Sequence, residues 1–125
     1  MPVIEINALP QKEGVDIPKV IGQVATSVAE IAGVPEHAVF CTWNEIRPGF
    51  YKEGPNTAER QPDGTHPPIV RLTMFEGRTQ QTIEQAIEKI SAVLQDGLGM
   101  GSANAFISYY EAKSGQIFTG GKLKR

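Results

Sequence analysis

The chain has one cysteine, Cys41, so no disulfide can close within it, and that usage suits a reducing cytoplasm, the expected compartment. Its two histidines, His37 and His66, lie far apart without ligand spacing to any partner, so no metal site is expected. No apolar run approaches the roughly 20 residues needed to cross a bilayer. No basic and then apolar leader precedes Pro2, so no signal peptide is expected. The formal net charge of −2 gives no reason to expect nucleic acid or an anionic membrane as partner. The glycine-rich run Gly97-Leu98-Gly99-Met100-Gly101 follows a helical pattern instead of leading from a strand into one. It is therefore a helix stop and not a phosphate loop, and no cofactor is expected.

What is present is an ordinary soluble composition, 40% hydrophobic and 21% charged over 125 residues, enough for one domain with its own core. Val3 to Leu9 alternates loosely and carries β-branched residues, which predicts a strand. Asp16 is a candidate N-cap, with Pro18 in the first helical turn, where a missing N–H costs little. Ile17, Val20, Ile21, Val24, Val28 and Ile31 recur at helical spacing and mark a buried face that ends at Gly33 and Pro35. Val39 to Ile46 predicts a second strand, followed by a turn at Pro48-Gly49 and a short aromatic arm at Phe50-Tyr51.

Residues 52–67 are polar, rich in proline and glycine, and without periodicity, so they serve as a connector. The pattern then begins again. Pro68 to Phe75 predicts a strand and Thr79 a helix cap, with a buried face at Ile83, Ala86, Ile87, Ile90, Val93 and Leu94. Phe106 to Glu111 predicts the fourth strand, Gly115 to Gly121 a terminal hairpin, and a solvated basic tail ends the chain. A shift of 66 residues superposes Pro2 on Pro68, Ile17 on Ile83, Gly33 on Gly99, Phe40 on Phe106 and Glu45 on Glu111 without a gap. The chain is thus an internal repeat, with βαβ units at 2–51 and 68–125 in a single domain. Each unit pairs its two strands in parallel. The expected fold is α/β in the α+β sense: a four-stranded sheet with two helices on one face. The uncovered face would expose apolar side chains, so oligomerisation is expected.

A βαβ repeat opening at a proline resembles the tautomerase superfamily. The second half is similar to the short subunit of 4-oxalocrotonate tautomerase in Pro68-Ile69-Val70, Glu76-Gly77-Arg78-Thr79, Glu111-Ala112-Lys113 and Gly120-Gly121. The first half matches in Pro2, in helix length, and in Glu45 followed by Pro48-Gly49. The whole resembles two short subunits fused head to tail, which implies a homotrimer.

The resemblance implies a cofactor-free tautomerase that converts enol acids to keto forms. In it a proline freed by loss of Met1 is the general base, and cations hold a substrate carboxylate. Pro2 takes the base role, and Pro68, acylated by Pro67, cannot. Arg78 stands at the family's substrate-binding arginine, and Lys12 at the matching position of the first half. Tyr51 corresponds to the family's hairpin aromatic, as pocket wall or interface packing. Arg71 and Arg47 are further cations whose facing depends on strand parity, which the sequence leaves open. The family's second binding arginine corresponds to Phe40 and Phe106 and is missing in both halves.

Against cis-3-chloroacrylic acid dehalogenase, only Arg78 survives. Phe75, a candidate substrate-binding residue, replaces the other arginine, and Ala29, Ser108 and Thr119 stand at its remaining three site positions. The alternatives are a hydratase, dehalogenase or decarboxylase of small three-carbon acids, or a trimeric binding protein without catalysis.

Overall fold

The computed structural model describes residues 1–125. Strand β1 (Val3–Ala8) leads to helix α1 (Ile17–Ala32), a single 3-10 turn and strand β2 (Phe40–Glu45). Strand β3 (Ile69–Phe75), helix α2 (Gln80–Gly97) and strand β4 (Phe106–Ala112) repeat the sequence. A hairpin of β5 (Ile117–Thr119) and β6 (Lys122–Lys124) ends the chain. The sheet order is β2-β1-β3-β4, the outer pairs parallel and the central pair β1/β3 antiparallel.

Local chemistry sets the ends of both helices. The Asp16 carboxylate accepts from the Lys19 N–H at 3.1 Å, and the Thr79 hydroxyl accepts from the Thr82 N–H at 3.2 Å. Each satisfies an otherwise unpaired N–H of the first turn. Gly33 ends α1 at φ 68°, left-handed backbone that glycine adopts without a Cβ penalty. Helix α2 instead runs through Gly97, with Leu98 as its cap and Gly99 at φ 63° making the turn.

The sequence repeat is a structural one. Val3 pairs with Phe40 and Ile69 with Phe106, each 66 residues on. The Phe40 N–H donates to the Pro2 carbonyl at 3.0 Å, and the Phe106 N–H to the Pro68 carbonyl at 2.9 Å. Strand alternation sends Ile4, Ile6, Val70, Leu72 and Met74 toward the helices, where they meet Val20, Val24, Val28, Ile83, Ala86, Ile90 and Leu94 in one core. Ile21, Ile31, Ile87 and Val93 pack at its rim, only partly buried. The other sheet face carries Phe40, Ile69, Phe106 and Tyr110, all exposed.

Two segments differ from expectation. The basic tail is not free chain: Lys122 to Lys124 forms β6, because Gly120 and Gly121, both at positive φ, turn it back onto β5. The connector, which the sequence marks only as aperiodic, is packed and carries an isolated antiparallel bridge between Glu53 and Asn56. His66 is buried, with its N–H bonded to Glu53 Oε1 at 3.1 Å and its ring to the Asn56 carbonyl and Thr65 Oγ1, both at 3.0 Å. These bonds hold His66 at φ 47°, a left-handed conformation that an isolated histidine disfavours. Gln61 clips the segment to the first half, its N–H donating to the Pro10 carbonyl at 2.9 Å.

Leu94 is fully buried between α2 and the sheet. Leu94→Ala is expected to lower unfolding free energy by about 2–5 kcal/mol, through lost transfer energy and a residual cavity, as read by urea denaturation.

Candidate functional site

The antiparallel seam decides which residues meet. Val3 lies opposite Thr73, so the register carries Pro2 beside Met74 and Met1 beside Phe75, at the end of β3 that runs into Gly77 and Arg78. The start of the first half therefore sits against the strand-to-helix turn of the second. Pro2 is fully buried and Met1 partly so. The N-terminal amine is held below its ordinary value, first by burial and then by the charges of Lys124 and Arg78. Lys124 comes from β6 and places its ammonium 5.2 Å from the Phe75 ring centre, within cation–π range.

Arg78 reaches across the repeat, its Nη1 donating to the Ala32 carbonyl at the last turn of α1. Lys12, its counterpart 66 residues earlier, does the same in reverse and donates to the Gly99 carbonyl just past α2, at 2.8 Å. Each half thus supplies a cation to the negative end of the other half's helix. A guanidinium has five donors, so Arg78 can serve the helix end and still offer N–H groups to an anion. The ammonium of Lys12 has less left over.

Tyr109 lies on the helix-facing side of β4, opposite Leu72. Its hydroxyl is buried without a hydrogen-bond partner. Burial and then Glu111 push its ionisation up, while Arg78 opposes them. Trp43, 66 residues earlier on β2, has a buried, unpartnered indole N–H in the equivalent place.

The structure brings Pro2, Phe75 and Arg78 to one end of the sheet and adds Lys124 and Tyr109, which the sequence did not single out. Lys124 is half-buried beside the N-terminus, not solvated as expected for a tail, because the hairpin folds it back. Its signal in the sequence was Gly120-Gly121 flanked by matched three-residue strands. Tyr109 could have been found as the repeat partner of Trp43.

The remaining expected residues lie elsewhere within the chain. Lys12 follows β1 at its far end and lines a cavity of about 130 Å³ with Gln61, Asp63, Leu98 and Met100. Tyr51 is at the Pro68 end, its hydroxyl donating to the Pro67 carbonyl at 2.6 Å and its ring meeting His66 edge-on at 5.1 Å. Burial, then Glu53, raise its ionisation. Arg71 lies opposite Glu5 with its guanidinium 5.2 Å from the Tyr110 ring centre, on the open sheet face. Arg47 stacks at 5.1 Å on exposed Phe50. No cavity formed by the single chain reaches Pro2.

No group of three or more His, Cys, Asp or Glu lies close enough to hold a metal ion. Cys41 faces the core from β2, and burial pushes its thiol up to about 11, which keeps it protonated and poorly nucleophilic near neutrality. No helix is long and apolar enough to cross a membrane.

No family model and no curated relative matches the sequence. Solved structures do. Pt0534 inactivated by 2-oxo-3-pentynoate matches with a TM-score of 0.84 at 15% identity, over 98% of this chain and 94% of that one. The R7 fused 4-OT wild-type asymmetric trimer gives 0.80 at 19%, over 97% and 94%. This chain has the tautomerase-superfamily fold. Similarity to N1, of the cis-3-chloroacrylic acid dehalogenase family, extends to a TM-score of 0.74 at 19% identity, over 98% and 83%. These identities carry the tautomerase fold to this chain and leave its chemistry to its own residues.

An unpaired buried hydroxyl is costly, by about 1–3 kcal/mol. Tyr109→Phe is expected to leave thermal stability unchanged or raise it, by up to about 1 kcal/mol, as followed by a calorimetric melt.

Proposed function

We propose that this protein is a cofactor-free tautomerase that converts enol acids of the 2-hydroxy-dienoate or enolpyruvate type to their keto forms, with Pro2 as general base after loss of Met1. The observation that carries this reading is the N-terminal amine itself. That amine is carried by Met1 in this structure; its protonated form is disfavoured, first by burial and then by the charges of Lys124 and Arg78, and Pro2 would meet the same surroundings once Met1 is lost. The one ion pair in the molecule joins exposed Lys113 and Glu111, so neither Arg78 nor Lys124 is paired with a carboxylate. A neutral amine beside unneutralised positive charge suits proton abstraction next to a developing oxyanion.

In the reaction, the Pro2 nitrogen accepts the proton of the enol hydroxyl while Arg78 holds the carboxylate. The oxygen's electrons form the carbonyl, the carbon–carbon double bond shifts or opens, and the prolinium returns the same proton to carbon. Phe75 forms the apolar wall of this site. Pro68 cannot do the same work. Its nitrogen is a tertiary amide, and Tyr51, Pro67 and His66 close over that end. Lys12 and Tyr51 would belong to that second end, and Arg71 to the open face.

The exposed Phe40, Ile69, Phe106 and Tyr110 support assembly through the open sheet face. With a fused 4-OT of this fold described as a trimer, a homotrimer is the assembly we infer. Light scattering should give about three times the 13.6 kDa chain mass.

The test is ketonisation of 2-hydroxymuconate and phenylenolpyruvate, followed by ultraviolet absorbance, on protein whose intact mass shows Met1 removed. Pro2→Ala should lower kcat/KM by at least about 100-fold, the usual range for loss of a positioned base. The base acts deprotonated, and burial, Lys124 and Arg78, which hold the Met1 amine below its ordinary value, would act on the Pro2 amine in the same direction, so kcat/KM should rise with pH and level off below the titration range of an unperturbed amine. Equal rates in wild type and Pro2→Ala, or protein that keeps Met1, would overturn the reading.

A further inference from the structure

We infer that Lys124, carried by the terminal hairpin, is the second substrate-contacting cation of the Pro2 site and takes an anionic oxygen of the substrate opposite Arg78. The inference rests on the proline-base reading and deepens it. Both family arginine positions that could have supplied this charge are phenylalanines: Phe40, exposed on the open sheet face beside Val3, and Phe106, exposed at the far end of the sheet beside Ile69.

Three features of the fold place Lys124. The Gly120-Gly121 turn returns β6 antiparallel along β5, pairing Lys124 with Ile117. The Gly115 N–H donates to the Lys124 carbonyl at 2.8 Å, so its backbone is tied at the base of the hairpin. Its ammonium then lies over Phe75, the residue that the sheet register sets beside the N-terminus. A quadrupole contact orients the ammonium without neutralising it, which a carboxylate partner would do.

The charges around the amine leave little else for this lysine to serve. Lys124 from β6 and Arg78 from the β3–α2 turn both act on it, and no carboxylate pairs with either. On β4, Tyr109 and Glu111 are the neighbouring titratable groups, and Glu111 pairs outward with Lys113 at 3.6 Å. Two like charges converging on a third basic group repel one another, and an anion with more than one acceptor oxygen relieves that repulsion. The ligand class is therefore a small acid with a carboxylate for Arg78 and a second anionic oxygen, an enolate or a second carboxylate, for Lys124. The contact strengthens as negative charge develops on the substrate, so it belongs to catalysis as well as binding.

The experiment compares wild type, Lys124→Gln, Lys124→Arg and Lys122→Gln. Lys122 removes the same charge from the same strand at an exposed place. Two readouts are taken for each: the pH profile of kcat/KM for 2-hydroxymuconate, and the rate of alkylation by 3-bromopyruvate followed by intact mass. In the second, the Pro2 nitrogen forms a bond to carbon as bromide leaves, so it reports the free amine and the anion site without turnover. Lys124→Gln should lower kcat/KM and the saturable alkylation rate by about 10- to 100-fold. It should also move the acid limb of both profiles to higher pH, because a charge opposing protonation is gone. Lys124→Arg should restore most of the loss, and Lys122→Gln should match wild type. All four should melt together.

Unchanged rate and limb in Lys124→Gln, while Pro2→Ala remains inactive, would overturn the role of Lys124 and leave the proline base standing. A loss shared by Lys122→Gln would overturn it too, as an effect of net charge. Wild type no faster than Pro2→Ala in both readouts would overturn the proline-base reading itself, and the inference with it.

Discussion

Val3 to Asn7 pairs antiparallel with Ile69 to Thr73, and this seam sets the rest of the molecule in place. Within each half the strands run parallel, so each half alone would put its first residue and its strand-to-helix turn at opposite ends of a strand of six or seven residues, about 20 Å apart. Antiparallel pairing of the halves brings the start of one against the turn of the other. Met1 and Pro2 then share an end with Phe75 and Arg78, and Pro68 shares the other with Lys12. The seam is held by Ile4, Ile6, Val70 and Leu72, all fully buried under both helices. Burial specifies its register, because a slip of one residue would turn these four side chains to the open face.

The same near-symmetry explains a structural duty for the cations. Arg78 and Lys12 each hydrogen-bond the carboxyl-terminal end of the other half's helix, where unpaired carbonyls and the helix dipole favour positive charge. A basic residue in the turn after each first strand thus serves the fold before it serves any substrate. The two ends diverge in what surrounds that cation. At the Pro2 end the hairpin adds Lys124, and the N-terminus is a free amine. At the Pro68 end the preceding residue is Pro67, and residues 51–67 pack over it through Tyr51, Gln61 and His66.

Most of the fold was legible. Asp16 and Thr79 announced the helix starts, Gly33 one helix stop, and the spacing of Val20, Val24, Val28, Ile83, Ile90 and Leu94 the buried faces. These are local or periodic signals, governed by chain geometry and side-chain burial. The connector was less legible because its order comes from bonds between residues distant in sequence, such as His66 with Glu53 and Gln61 with Pro10, which leave no period. Lys124 was missed for the same reason: three alternating residues after a double glycine look like a tail until they find a partner strand.

The amino-acid sequence by itself determined the repeat, the elements, and which nitrogen could be a base, since acylation of Pro68 by Pro67 is a covalent fact. It also determined that Arg78 and Lys12 are counterparts, because a gapless shift aligns them. Only the tertiary structure decided which end each cation serves. Tyr51 and Lys12 went to the far end, Arg71 to the open face, and Lys124 to the amine, outcomes set by antiparallel pairing, strand parity and hairpin return. Charge acts through space over a few ångströms, and the residues that share such a distance with the N-terminus are 77 and more positions away along the chain.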